Sequence, residues 1–188
     1  MKLTSRNIGI ILVILGTLIM GGNQISNGKI ELPTKTSKTE TQIIHKGYKV
    51  KKVVDGDTIS VYMKDGTVEN IRFVGINTPE SVDPRRPVQC FGKEASKKMK
   101  ELLSGEYVLL VKDSVAGDRD KYGRLLRYVY RERDNVFANE YMIKEGYAYE
   151  YTYNGQKYDF KTSFKQLQKN AQEQKVGLWS ADTCNGKK

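Results

Sequence analysis

Tyr48-Lys49-Val50-Lys51-Lys52-Val53-Val54 runs into Asp55-Gly56-Asp57, and Thr58 to Met63 follows as a second β-rich run. Lys64-Asp65-Gly66 is a strong turn signal, and from Val68 to Gly75 the residues Ile71, Phe73 and Gly75 alternate with Arg72 and Val74. A period of two residues places alternate side chains on opposite faces, so each run reads as a short strand. Three such strands joined by tight Gly-containing turns predict an antiparallel meander.

Working outward, the spacing changes after Pro84 and Pro87, which with Arg85 and Arg86 mark an irregular loop with a charged tip. Phe91, Ala95, Met99, Leu102 and Leu103 recur at helical intervals and Gly105 closes that helix. Tyr107 to Val111 and Leu125 to Tyr130 read as two more strands. The pair Asp134-Asn135 is cap-like, which predicts a helix over Val136 to Glu145 ended by Gly146. A last helix is expected from Tyr158 to Lys175, where Phe160, Phe164, Leu167 and Ala171 form one apolar stripe, and Leu178 and Trp179 are expected to pack back onto the domain. Five strands with helices at intervals exclude a parallel βαβ sheet. They predict an α+β fold: a five-stranded OB-type β-barrel with about three packed helices.

The chain has 188 residues, with 38% hydrophobic and 29% charged, which suits one folded domain and excludes disorder over most of its length. Its formal charge of +10 directs it toward anionic partners: nucleic acid, anionic lipid or cell-surface polymer. Lys2 and Arg6 precede an apolar run from Ile8 to Met20. That run is short for a membrane span and matches the apolar part of an export signal, so residues 1–22 are expected to be a signal peptide. No Ala-x-Ala pattern follows, and an N-terminal membrane anchor is the alternative. Residues 23–42 read as a polar flexible tether, 43–184 as the folded domain and 185–188 as a tail. The expected location is secreted or anchored on the outer face of the cell membrane. In an oxidising compartment Cys90 and Cys184 become available for a disulfide, with two unpaired thiols as the alternative. With one histidine, His45, and no C-x-x-C pair, a His/Cys zinc site is excluded.

Three places carry candidate chemistry. Asp55-Gly56-Asp57 brings two carboxylates around a tight turn, as a hard cation requires, although Asp-Gly-Asp is also an ordinary turn. Arg72 interrupts an apolar strand; as an isolated residue it reads as facing solvent. Glu80 follows Asn77-Thr78-Pro79, where the proline stiffens the loop that carries the carboxylate. Asp120-Lys121-Tyr122-Gly123-Arg124 offers two cations and a ring just before a strand, a phosphate grip or a solvated hairpin loop.

Taken in order, Val53-Val54-Asp55-Gly56-Asp57-Thr58, Ile71-Arg72-Phe73-Val74-Gly75-Ile76-Asn77-Thr78-Pro79-Glu80, Asp120-Lys121-Tyr122-Gly123-Arg124 and the ending Gly177-Leu178-Trp179-Ser180 resemble the thermonuclease, or staphylococcal nuclease-like, family. The resemblance spans roughly Tyr48 to Asp182. It implies a calcium-dependent endonuclease/exonuclease that hydrolyses DNA and RNA to products with 3′ phosphates, working as a monomer. Arg72 and Arg124 match the two active-site arginines, and Glu80 the general base or water-orienting group. Asp57, Asn77 and the carbonyl of Thr78 match calcium ligands, with Asp55 a supporting carboxylate. Lys121 and Tyr122 match the phosphate-contacting pair, and Tyr151 or Tyr153 the tyrosines lining the nucleotide site. At Asn77 many family members carry an aspartate. Asparagine keeps the oxygen and loses the charge, so weaker calcium binding is expected, with a shifted metal preference or a disabled site as the other consequences. A noncatalytic nucleic-acid-binding module is the rival from another class, and Asn77 is the residue in its favour.

Overall fold

The computed structural model describes residues 45–85 and 87–187. The expected signal peptide or anchor at 1–22 and the tether at 23–42 lie outside the described residues. Among the described residues no helix is long and apolar enough to cross a membrane.

The barrel is built from β1 (Tyr48–Asp55), β2 (Thr58–Tyr62), β3 (Val68–Phe73), and two later strands that follow a two-residue strand β4 (Ile76–Asn77) and helix α1 (Gly92–Leu103); these later strands are β5 (Tyr107–Val111) and β6 (Leu125–Arg131). β1, β2 and β3 form the antiparallel meander. β5 joins β1 and β6 joins β5, both antiparallel. A parallel pairing of β3 with β6, Ile71 opposite Leu125, then closes the five strands into a barrel. Closure removes the exposed strand edges. The inside is filled by Val50, Val53, Ile59, Val61, Ile71, Phe73, Val108, Leu125 and Val129, each no more than 5% exposed. A buried branched side chain of this kind contributes about 1.5–3 kcal/mol.

The helix expected from Val136 begins two residues later. Val136–Phe137 instead form strand β7, paired with Tyr130 and Arg131. Asp134 and Asn135 make the turn between them: the Asp134 carboxylate takes both arms of the Arg131 guanidinium, and Asn135 adopts a left-handed φ of 56°. Asparagine tolerates that region better than other non-glycine residues, which makes the pair a turn and not a cap. Helix α2 (Ala138–Lys144) follows, then strand β8 (Tyr149–Glu150) and helix α3 (Lys161–Glu173). The fully buried Asn139 of α2 donates to the Val74 carbonyl at 2.9 Å and accepts from the Val129 N–H at 3.0 Å, tying the helix to the end of β3 and to β6. Phe164 and Ala171 of α3 are buried, and Phe160 and Leu167 lie against the same core. Leu178 is fully buried beside Tyr149 and Cys184, with Phe91 and Trp179 packed on them. Cys90 and Cys184 are joined in a disulfide.

Gly75 turns the chain out of β3. Its φ is +77°, and a Cβ there would lie 2.6 Å from the Tyr158 ring and 2.9 Å from Phe164. Only glycine meets both demands. The turn sends β4 alongside β8, Asn77 opposite Tyr149, and the Tyr151 N–H donates to the Gly75 carbonyl at 2.9 Å. The loop after β3 and the segment after β8 therefore stand at the same end of the barrel.

Candidate active site

Strand register decides which polar residues meet. Thr58, the first residue of β2, pairs with Arg72 of β3, and Arg72 pairs with Leu126 of β6 on its other side. The Asp55–Asp57 turn, Arg72 and the residues preceding β6 thus converge at one barrel rim. They line a cleft of about 940 Å³, to which the loop after β4 adds Asn77, Thr78 and Glu80.

Arg72 does not face solvent, as an isolated strand arginine would. It is 9% exposed, because the loop it points toward folds over it. Its Nη1 donates to the carbonyls of Phe73 and Ile76 at 2.7 and 2.8 Å. Its Nη2 reaches Asn77 Oδ1 and Asp57 Oδ2, each at 3.2 Å. Five donors in a planar fork suit this multiple grip, which fixes the guanidinium plane before any ligand arrives.

Asp57 is buried and engaged at both oxygens. Oδ1 accepts from the Thr58 hydroxyl at 2.9 Å, and Oδ2 accepts from the Thr78 N–H at 3.0 Å. Asp55 accepts from Ser81 Oγ at 2.6 Å and from the Gly56 N–H at 2.8 Å. Burial pushes the Asp55 pKa up; these two hydrogen bonds oppose the shift, and the nearby Asp57 and Glu80 carboxylates add to it, leaving it above the ordinary aspartate value. Asp55, Asp57 and Glu80 thus bring three carboxyl groups to the lining of one cleft.

Glu80 stands half-buried in this lining. Its Oε1 accepts from the Val82 and Asp83 N–H groups at 2.9 and 3.0 Å. Its backbone is held by Gln89, whose Oε1 accepts from the Glu80 N–H at 2.7 Å and whose own N–H donates to the Glu80 carbonyl at 2.9 Å.

Arg124, which lines the same cleft, donates through Nε to Asp120 Oδ2 at 2.7 Å, and its Nη1 lies 3.4 Å from the Thr58 hydroxyl. Burial pushes the Asp120 pKa up, but the Arg124 guanidinium and the Arg124 and Tyr122 N–H groups outweigh it and hold the carboxyl below the ordinary value. Thr58 is therefore a polar bridge between Asp57 and Arg124. The Tyr122 ring, 72% exposed, has Lys121 Nζ 5.1 Å and the Arg124 guanidinium 5.4 Å from its centre. The Tyr151 ring lies 6.0 Å from the Arg72 guanidinium. Tyr153 also lines the cleft and is 45% exposed.

The site brings together every residue singled out from the sequence for chemistry. It adds Thr58, Ser81, Gln89 and Asp120 as residues that hold the others. Thr58 and Ser81 adjoin candidate carboxylates in sequence, which was the available signal; Gln89 lies nine residues beyond Glu80 with no local pattern to connect them. Among the described residues no group of three or more His, Cys, Asp or Glu side chains is gathered into a metal site. The oxygen donors Asp55, Asp57, Asn77 Oδ1 and the Thr78 carbonyl nevertheless match a hard divalent cation in donor type.

The sequence model described as staphylococcal nuclease homologue matches residues 70–181. A thermonuclease of Staphylococcus hyicus is 43% identical over 133 residues, covering 71% of this chain and 75% of that protein. A thermonuclease of Staphylococcus intermedius is 39% identical over 142 residues, 76% of this chain and 81% of that protein. The SPbeta prophage-derived endonuclease YokF of Bacillus subtilis is 41% identical over 133 residues, 69% of this chain and 42% of that protein.

Proposed function

The chain belongs to the staphylococcal nuclease homologue family, and from that premise we propose that it is a calcium-dependent nuclease hydrolysing DNA and RNA to products with 3′ phosphates. The observation that carries this reading is the placement of Arg72, Arg124 and Glu80 around one cleft with Asp55 and Asp57. A module that only binds nucleic acid needs basic and aromatic surface. It has no use for a buried guanidinium and a braced carboxylate facing the same space.

Each residue has a role its surroundings favour. Asp57, Asn77 and the Thr78 carbonyl, with Asp55 as a supporting carboxylate, would hold Ca²⁺, which when bound supplies positive charge to a nonbridging phosphate oxygen. Arg72 and Arg124 grip the phosphodiester and stabilise charge growing on phosphorus in the transition state. Because Arg72 is already fixed by two carbonyls, little reorganisation accompanies that step. Glu80 keeps Oε1 on the loop N–H groups, which leaves Oε2 to orient the attacking water and accept its proton. The water oxygen forms the new bond to phosphorus as the bond to the 5′ oxygen breaks; that oxygen departs with the bonding pair and takes a proton from solvent, and the phosphate stays on the 3′ side. Lys121 and Tyr122 meet the phosphate backbone, and Tyr151 and Tyr153 offer rings on which bases stack, an arrangement that holds extended strands with little base preference.

The proposed place of work is outside the cell, as a monomer, secreted or anchored by residues 1–22. The Cys90–Cys184 disulfide supports an oxidising compartment. Incubating the purified chain with plasmid DNA and with RNA, in calcium and in chelator, tests the proposal. Cutting in calcium alone, with 3′ phosphates found by end-group analysis, is expected. Retained binding with no metal-dependent cutting selects the noncatalytic module instead.

A further inference from the structure

The Cys90–Cys184 disulfide lies outside the cleft, yet the segment it anchors is the one that grips Glu80. Gln89, the residue before Cys90, holds the Glu80 N–H and carbonyl in the two hydrogen bonds described above. Two residues after Cys90, Gly92 lies so close to the Glu80 carbonyl that a Cβ would stand 2.7 Å from that oxygen. Gln89 and Gly92 are themselves joined by a 3.0 Å hydrogen bond from the Gly92 N–H to the Gln89 carbonyl. They form one short cradle for the Glu80 backbone.

The cradle depends on an unfavourable conformation. Phe91, between Cys90 and Gly92, has φ 66° and ψ 7°, a left-handed geometry that is strained for a bulky residue. Such a residue persists only where its surroundings over-determine it. Here two things do so. The Phe91 ring stacks on Tyr147 with centroids 5.5 Å apart and packs on the cluster of Tyr149, Leu178 and Cys184. The disulfide ties Cys90 covalently to Cys184, the buried member of that cluster, across 94 residues of chain. Its Cys90 end is exposed to solvent.

We propose that Gln89 is a positioning residue for Glu80 and that the Cys90–Cys184 disulfide keeps it in place, so that turnover depends on the oxidised cysteine pair. The inference rests on the assignment of Glu80 made above. Reduction breaks one S–S bond, forms two thiols and takes two electrons and two protons from an external dithiol, which leaves as its own disulfide. The freed segment then lets Phe91 relax from the left-handed region, and Gln89 withdraws from the Glu80 backbone.

The test uses the full chain, oxidised or held in dithiothreitol, with circular dichroism confirming that the reduced protein remains folded. Gln89→Leu is expected to lower kcat about 10-fold with KM nearly unchanged, since an ångström-scale misplacement of a reacting group costs up to about 100-fold. Gln89→Glu, which keeps an acceptor for the Glu80 N–H, restores kcat. Reduction of the wild type lowers kcat about 10-fold and has little further effect on Gln89→Leu, because both act through the same contact. Equal kcat in the oxidised and folded reduced wild type, or fully additive losses, would overturn the inference. Hydrogen exchange at the Glu80 amide provides a readout independent of cleavage: protection falls in Gln89→Leu and on reduction, and unchanged protection sinks the inference. Wild-type activity in Glu80→Ala would instead defeat the assignment of Glu80, while the exchange result still decides whether the disulfide holds the cradle.

Discussion

The Arg72 guanidinium lies 3.2 Å from the Asp57 carboxylate, and both side chains are about nine-tenths buried. A buried charge pair is poor evidence for stability by itself, but removing one partner strands the other. Arg72 also carries two backbone carbonyls, so it is a structural member of the site as well as its proposed phosphate grip.

Arg72→Ala is therefore expected to cost about 3 kcal/mol of folding stability in the absence of metal and to lower turnover at least 100-fold. Calcium, by supplying Asp57 with a new counter-charge, should restore more stability to the variant than it adds to the wild type. Urea denaturation with calcium and with chelator measures both. An equal calcium effect in the two proteins would show that Asp57 is not part of the metal seat.

Glu80 is held by its loop without supporting the core, and the consequence of removing it should be selective. Glu80→Ala is expected to lower kcat at least 100-fold while the urea midpoint moves little. Arg124→Ala should lose turnover by a comparable factor, with additional loss because Asp120 is left without its guanidinium partner. Steady-state kinetics on a single-stranded substrate separates the cases. Near-normal kcat for Glu80→Ala removes it from the mechanism.

Asn77 gives Arg72 Nη2 an uncharged acceptor at 3.2 Å. Asn77→Asp adds a carboxylate beside Asp57 and should tighten calcium binding about 10-fold or more, since ligand charge count is a main determinant of calcium affinity. It should also bind Arg72 more strongly, which moderates the gain. Isothermal calorimetry on the two proteins decides, and equal affinities would mean that position 77 does not face the ion.

Asp55 predicts a pH dependence with a definite sign. Its folded pKa is raised, chiefly by burial, so the folded protein holds a proton that the unfolded chain has released. Its contribution to stability is fully present below the unfolded aspartate pKa of about 3.9 and is lost as pH rises through the higher folded value. At neutral pH the ionised Asp55 destabilises the metal-free protein. Asp55→Asn, which keeps an acceptor for Ser81 and Gly56, is expected to stabilise that form at pH 7 and to weaken calcium binding. Urea denaturation across pH 3 to 7 checks the first effect and calorimetry the second; a destabilised metal-free variant at pH 7 would count against the burial argument.

Much of this was readable along the chain because the relevant physics is local. Three β-rich runs with tight turns over Tyr48 to Gly75, the third alternating from Val68 to Gly75, marked the meander, and the apolar stripe from Phe160 to Ala171 marked the last helix. Where local signals compete, reading along the chain misses: Asp134-Asn135 suits a helix cap and a hairpin turn equally, and the pairing of Val136 and Phe137 with β6 settles it as a turn. Arg72 on its strand likewise looked outward, since alternation tells which face a side chain takes and not what covers that face.

The residue types for chemistry, the two arginines, Glu80 and the Asp55–Asp57 turn, belong to the sequence, as does their membership in a known ordered set. Their assembly belongs to barrel closure. The parallel pairing of Ile71 with Leu125 joins segments 54 residues apart in number and sets Arg72 and Arg124 at one rim, while the cradle for Glu80 depends on Gln89 and a disulfide spanning 94 residues. Those contacts follow from filling one apolar interior and pairing every inner strand edge, a condition on the whole chain that no short window of residues contains.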